Sequence, residues 1–262
     1  MNRYLRLIRE LGKMSLMNSL EYRTDLAVVG IFKLLESATS FIILIFIFNQ
    51  VKQIADWDRT EVLLVNLTFI ISTSITSLFL MPGLKQFARE LNDGVIDKYL
   101  VQPINLQFFA SLAKWDCTHI FRLVGAGVAV VYLILTQLDG ITLMAILEYN
   151  LMIFLSAIFF YSFVFILICS VFFLNRLYNI DYLAAILWDP GKWPTSIFRG
   201  MWGIVFMTIV PVGFAATVPV GVLTGRHGGI FVVAGVLLAG VFLIISNKVL
   251  AAGIRRYAGA GG

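Results

Sequence analysis

The sequence predicts an all-α integral membrane protein with six transmembrane helices, and three observations carry that prediction. Hydrophobic residues make up 60% of the 262 residues and charged residues 13%, against roughly 45–50% and 25% in soluble domains. A hydrocarbon core of about 30 Å takes about 20 apolar residues per helical span, so the chain accommodates roughly six spans and leaves no separate soluble domain. A β-barrel would alternate in hydrophobicity over segments of about ten residues. The apolar runs 41–48 and 204–210, the latter broken by Thr208 alone, argue against one.

In chain order, residues 3–14 are expected to form an amphipathic helix. Arg3, Arg6, Glu10 and Lys13 gather on one side of a helical wheel, and Tyr4, Leu7, Ile8 and Leu11 on the other. Such a helix lies in the membrane interface with its basic side toward anionic headgroups, or it is a plain leader of the first span. No short basic patch precedes an apolar core, so a cleavable signal peptide is not expected. The first span covers 26–48, entered through Glu21, Tyr22, Arg23 and Asp25. It carries Lys33 and Glu36 about one turn apart, close enough to meet. A lone charge at mid-membrane costs about 2.5–3.5 kcal/mol. Three readings follow: a buried structural pair, Lys33 snorkelling back to water, or charges on a substrate pathway.

A polar turn at 49–61 holds Trp57 as an interfacial aromatic. The second span, 62–81, carries Thr68, Ser72, Thr73, Ser74, Thr76 and Ser77, which suit helix contact or a polar lumen better than lipid. Residues 83–104, GLKQFARELNDGVIDKYLVQPI, are polar between two apolar segments. Leu84, Phe87, Ala88 and Leu91 recur at helical spacing, with Lys85, Arg89, Glu90 and Asn92 on the other face. Pro82 and Gly83 mark the start, Gly94 stops the helix, and Pro103 closes the run. This stretch is either a solvated loop or a short helix lying on the membrane surface or against another protein.

The third span, 116–135, has His119 and Arg122 near its start, with Gly125 and Gly127 allowing close helix approach. A turn at 137–140 leads to a fourth segment, 141–174, longer than a bilayer needs and therefore expected to tilt or project. Residues 175–199 are less apolar and are broken at Asp189, Pro190, Gly191 and Pro194, so they are expected to form a second surface segment on the side of 83–104. The fifth span starts near Gly200 and is interrupted by Pro211 and by Pro219 to Gly221. Irregular backbone at membrane depth needs protein cover or a wet lumen, so 211–225 is expected to be a re-entrant segment between spans five and six. The last span is 230–245. Residues 1–258 make one transmembrane domain, and 259–262 (Gly-Ala-Gly-Gly) a disordered tail.

The net charge of +5 reports topology and calls for no nucleic acid. Lys33 and Arg122 lie in spans, Lys52, Arg59 and Arg226 lie on one face, and the remaining Lys and Arg residues lie on the face of the termini, which is therefore cytoplasmic. No GxxxxGK[ST] loop occurs, so the chain has no ATP site of that kind. HExxH and a plausible Ser/His nucleophile pair are also missing. Cys117 and Cys169 are too few and too far apart for zinc. Glu36 and Glu148 are too few carboxylates for an evident proton relay, which leaves an ATPase-independent carrier or channel using Lys33 and Glu36 as the second reading.

Three places resemble the membrane subunits of type-2 ATP-binding-cassette exporters, in the bacterial branch of about this length grouped with antibiotic-resistance exporters. SLEYRTDL (19–26) looks like the family's entry into the first span. GVIDKYLVQPIN (94–105) looks like its Gly-x-Leu/Ile-Asp-x-x-Leu-x-x-Pro-Ile/Val pattern, matched at Gly94, Ile96, Asp97, Leu100, Pro103 and Ile104. The third is the late pair Pro211 and Pro219, preceded by Trp193 and Pro194. The resemblance implies a permease subunit of the bacterial inner membrane, paired with itself or a homologue and driven by separate ATPase subunits that hold the ATP and Mg. It implies that the helix after the second span docks on the ATPase. Leu84, Phe87, Arg89, Leu91, Gly94, Asp97, Leu100 and Pro103 would carry that coupling, with Phe87 and Leu91 as apolar anchors. Pro211 and Pro219 would lie in an outer gate, and the N-terminal helix would rest on lipid.

Overall fold

The computed structural model describes residues 2–101, 103–174, 180–198 and 200–257; the tail expected at 259–262 lies outside them. Helix α1 (Asn2–Glu21) is separated from α2 (Arg23–Phe48) by Tyr22 alone. Helix α3 (Arg59–Phe79) starts on a reciprocal cap. Asp58 Oδ1 accepts from the Glu61 amide at 2.8 Å, and Glu61 Oε2 accepts from the Asp58 amide at 3.0 Å. One residue later comes α4 (Met81–Asn92), with Pro82 in its first turn, where the missing amide donor costs nothing. Two short helices follow, α5 (Asp97–Leu100) and α6 (Leu106–Leu112), the latter capped by Asn105. Then come α7 (His119–Gln137), α8 (Leu143–Cys169), α9 (Ile180–Trp188), α10 (Met201–Thr208), α11 (Thr217–Leu223) and α12 (Ile230–Ile254). No strand is formed among the described residues.

Five of these helices are long and apolar enough to cross a membrane: α2, α3, α7, α8 (with the following turn to Phe172) and α12. Helix α3 is the central one, buried along most of its length, while α2, α7 and α12 turn much of their apolar surface outward. Its hydroxyls therefore face protein and must find acceptors there. Thr68 shares a 2.7 Å hydrogen bond with the Tyr149 hydroxyl, Ser72 donates to the Ala215 carbonyl at 3.0 Å, and Ser74 and Thr76 donate to carbonyls one turn back. Thr68 and Ser72 thus take the helix-contact role that the second span's composition allowed, while Thr73 and Ser77 line a cleft, the polar-lumen role.

One end of the bundle is closed by Arg226. Its guanidinium grips the Glu61 carboxylate with two donors, Nη2 to Oε2 at 2.6 Å and Nε to Oε1, and lies 5.0 Å from the Trp57 ring centre. Nη2 also donates to the Asp56 carbonyl at 2.9 Å, holding a loop in which Ala55 and Asp56 have positive φ. The ion pair and its hydrogen bonds favour the charged guanidinium, so its pKa is raised.

Residues 180–223 depart from the expected course. The surface segment expected at 175–199 is, over its described part, built into the bundle. Trp188 packs on Phe160 (ring centres 4.9 Å apart), Gly191 abuts Phe69 in the middle of α3, and Ser196 Oγ donates to the Ala55 carbonyl at 3.2 Å, at the Glu61 end. From there α10 and the 3-10 turn Val212–Ala215 bring Ala215 beside Ser72, eleven residues (about 16 Å along α3) from Glu61. Helix α11 then returns to the Arg226 end. Prolines and glycines break this segment into short pieces, and burial against α3 and α8 makes that tolerable, because local turns and contacts such as the Thr195 amide to Thr217 Oγ1 (3.2 Å) satisfy the backbone. Pro211 and Pro219 are both buried here.

Candidate functional site

At the opposite end, α4, α5 and α6 form a polar cap. The stripe read from the sequence is real, and the chain itself covers it. Leu84, Phe87, Ala88 and Leu91 are buried. Phe87 stacks on Phe165 of α8 at 6.0 Å and meets Tyr99 of α5 edge-on at 5.3 Å. Gly83 is pressed against the carbonyls of Ala110 and Ser111, so that a Cβ there would lie 2.5 Å from backbone oxygen. Leu84, Phe87 and Leu91 therefore hold α4 to the bundle and are not presented to a neighbour, because the apolar side of this helix found its cover in α8, α5 and α6.

Gly94 ends α4 with φ of 72°, a conformation that costs Gly little. Its carbonyl accepts from the Tyr257 hydroxyl, which also accepts from the Ile96 amide at 3.4 Å and so ties the end of the chain to this turn. The outer surface includes Lys85 and Arg89 on α4 and Asp93, Val95, Asp97, Lys98, Leu100, Val101 and Pro103 beyond it. Val95, Leu100 and Val101 are exposed apolar residues, at 54%, 41% and 77%. Of the residues expected to couple to a partner, Arg89, Asp97, Leu100 and Pro103 are outward.

Glu90 clamps α5 to α4. Its Oε1 accepts from Lys98 Nζ at 2.5 Å and from Gln86 Nε2 at 3.0 Å. Burial pushes the Glu90 carboxyl up, but Lys98, Tyr99 and Gln86 outweigh burial and hold it below the usual carboxylate range. Beside it, burial and the Glu90 carboxylate raise the Tyr99 phenol. A folded-state pKa below the unfolded one stabilises above the unfolded value, and that contribution is lost as pH falls through the folded one. Thermal unfolding is therefore expected to fall more steeply with acidification in the wild type than in Glu90→Gln; parallel pH profiles would contradict the clamp.

The charge pair expected between Lys33 and Glu36 is not formed. Lys33 Nζ donates to Asp116 Oδ2 at 3.0 Å and to Thr118 Oγ1 at 2.5 Å, while Glu36 is exposed. Burial raises the Asp116 carboxyl, but the hydrogen bonds from Thr118 and Lys33 and the lysine charge bring it below its ordinary value. Asp116 lies 83 positions from Lys33 in sequence, so no local spacing rule could have paired them. Behind this pair opens a cleft of about 750 Å³ between α2, α3, α7 and α9. Asp116, Tyr257, Tyr99 and Trp188 were not singled out from the sequence, since each acts through a neighbour remote along the chain.

On the α1 side, Ser15 Oγ accepts from the Trp115 amide at 3.2 Å, Tyr4 meets Phe108 edge-on at 4.9 Å, and Gly12 abuts the Trp115 ring. Leu7, Ile8 and Leu11 are half-buried, whereas Leu5, Leu16, Met17 and Leu20 stay exposed.

Compared with known families, residues 34–261 match the family model described as ABC-2 family transporter protein. No curated protein and no solved structure gives a match.

Proposed function

Since the chain belongs to the ABC-2 family of transporter proteins, we propose that it is the membrane permease of an ATP-binding-cassette exporter whose ATP is hydrolysed on separate subunits. The observation that carries the reading is the cap at 81–103. It is a helix locked to the bundle by its apolar side, with a charged and partly apolar outer surface left for a neighbour. A rigidly mounted handle transmits a partner's movement, which a floating loop would not. Lys85, Arg89, Lys98, Lys114, Lys248, Arg255 and Arg256 gather at this end, which supports a cytoplasmic placement by the positive-inside bias.

On this reading α9 and the turns after it make a sixth, broken crossing. The pieces 201–223 dip from the outer surface to the level of Ser72 and return, forming a re-entrant outer gate with Pro211 and Pro219 in its walls. The exposed apolar side of α1 rests on lipid. The permease works as a dimer, with itself or a homologue, in a bacterial inner membrane. ATP and Mg stay with the partner. Affinity purification of the tagged chain from its own membranes is expected to co-elute Mg-dependent ATPase activity. A chain that elutes without ATPase activity, and transports in liposomes on an ion gradient alone, would instead favour an independent carrier.

A further inference from the structure

We infer that the cleft between α2, α3, α7 and α9 binds the anionic head of an amphiphile at the level of the cytoplasmic leaflet. This deepens the permease reading and rests on it for calling the ligand a substrate. The cleft lies near the cap end of the bundle. Arg122 is the fourth residue of α7 and Thr73 lies six residues before the end of α3, so its floor is roughly 5–9 Å inside the spans. That is the depth at which a bilayer passes from headgroup to acyl chain.

The polar wall is cationic and under-used. Arg122 reaches Thr73 Oγ1 through Nη2 at 3.5 Å, a long contact to a neutral oxygen. Among the described residues, its buried Nε and the buried Nδ1 of His119 have no hydrogen-bond partner. Of the carboxylates lining the cleft, Asp116 is engaged by Lys33 and Asp189 by Lys192 at 2.6 Å, and Asp25 stands at the rim. Glu36 acts on Arg122 through space, with no ion pair between them. Lys114, exposed at the mouth, adds positive charge there. A guanidinium presents its donors in a fork that fits carboxylate or phosphate oxygens, and a buried cation with a donor left over is costly at this depth. An anionic head would supply the acceptors. The other wall is aromatic, with Phe69, Phe160 and Trp188, and receives the apolar body.

The purified chain in phosphatidylcholine nanodiscs is titrated with dodecyl phosphate, dodecanol and inorganic phosphate, with binding read from tryptophan emission. Saturable binding of dodecyl phosphate alone is expected, weakened about tenfold or more by Arg122→Gln, a loss of about 1.4 kcal/mol. Glu36→Gln should leave the affinity unchanged or tighten it. His119→Gln gives a second, milder variant should Arg122→Gln fail to fold, and it too should weaken binding. Brominated phosphatidylglycerol that quenches tryptophan more than brominated phosphatidylcholine, in an Arg122-dependent way, identifies a lipid headgroup as the source. Equal quenching with dodecyl phosphate still bound identifies a free amphiphile. Equal affinity for dodecanol and dodecyl phosphate, or undiminished dodecyl phosphate binding in folded Arg122→Gln and His119→Gln, would overturn the inference. The titration uses no ATPase, so its failure leaves the permease reading standing.

Discussion

Phe87→Ala is expected to destabilise the chain by about 3–5 kcal/mol, the usual cost of removing a fully buried aromatic ring. Phe87 is 0% exposed and joins three elements, α4 through its own backbone, α8 through Phe165 and α5 through Tyr99. Phe165 is itself fully buried, and a cavity at this point cannot be refilled by a neighbour already packed on other sides. The variant should unfold at a clearly lower temperature in detergent. It should lose an ATPase partner only to the extent that the cap has come loose. A Phe87→Ala chain as stable as the wild type would mean that α4 is not anchored through this ring.

The second large effect concerns the outward side of the same cap. Leu100→Asp combined with Val101→Asp should leave stability within about 0.5 kcal/mol, as for surface substitutions generally, because both side chains are exposed. Association with the ATPase should nevertheless fall by at least about 2 kcal/mol, since carboxylates would replace apolar contacts at a desolvated interface. Arg89→Glu, which reverses an exposed charge on α4, should slow association and change its salt dependence. The measurement is affinity of the purified permease for its ATPase at two ionic strengths. Undiminished affinity in all these variants, with the fold intact, would remove the cap surface as the docking site. Comparing them with Phe87→Ala separates a lost contact from a lost scaffold.

Much of this cap was legible in the residues. The helical stripe of α4, its start at Pro82 and its stop at Gly94 follow from spacing and backbone preference, which act over a few residues. The direction the stripe faces was not legible. An apolar side can be covered by the chain's own helices or by another protein, and Phe87 and Leu91 read the same either way. The Lys33 partner was misassigned to Glu36 for a related reason. Spacing along one helix shows which groups can meet, but α7 brings Asp116 and Thr118 closer. Residues 180–198 looked like a surface segment because they are broken and less apolar, yet Ala184, Trp188, Gly191 and Thr195 are buried and pack the broken backbone against the bundle.

From the residues alone it followed that this chain is helical and lives in a membrane, that its basic groups collect on one side, and that a short charged helix follows the second apolar segment. Those properties depend on transfer free energy and short-range backbone geometry, which each segment carries with it. Packing decided which side of that helix was left exposed, which acid neutralised Lys33, and where Arg122 came to face an open cleft. Each of these depends on contacts between residues tens to more than a hundred positions apart, and such contacts exist only once the helices have been laid against one another.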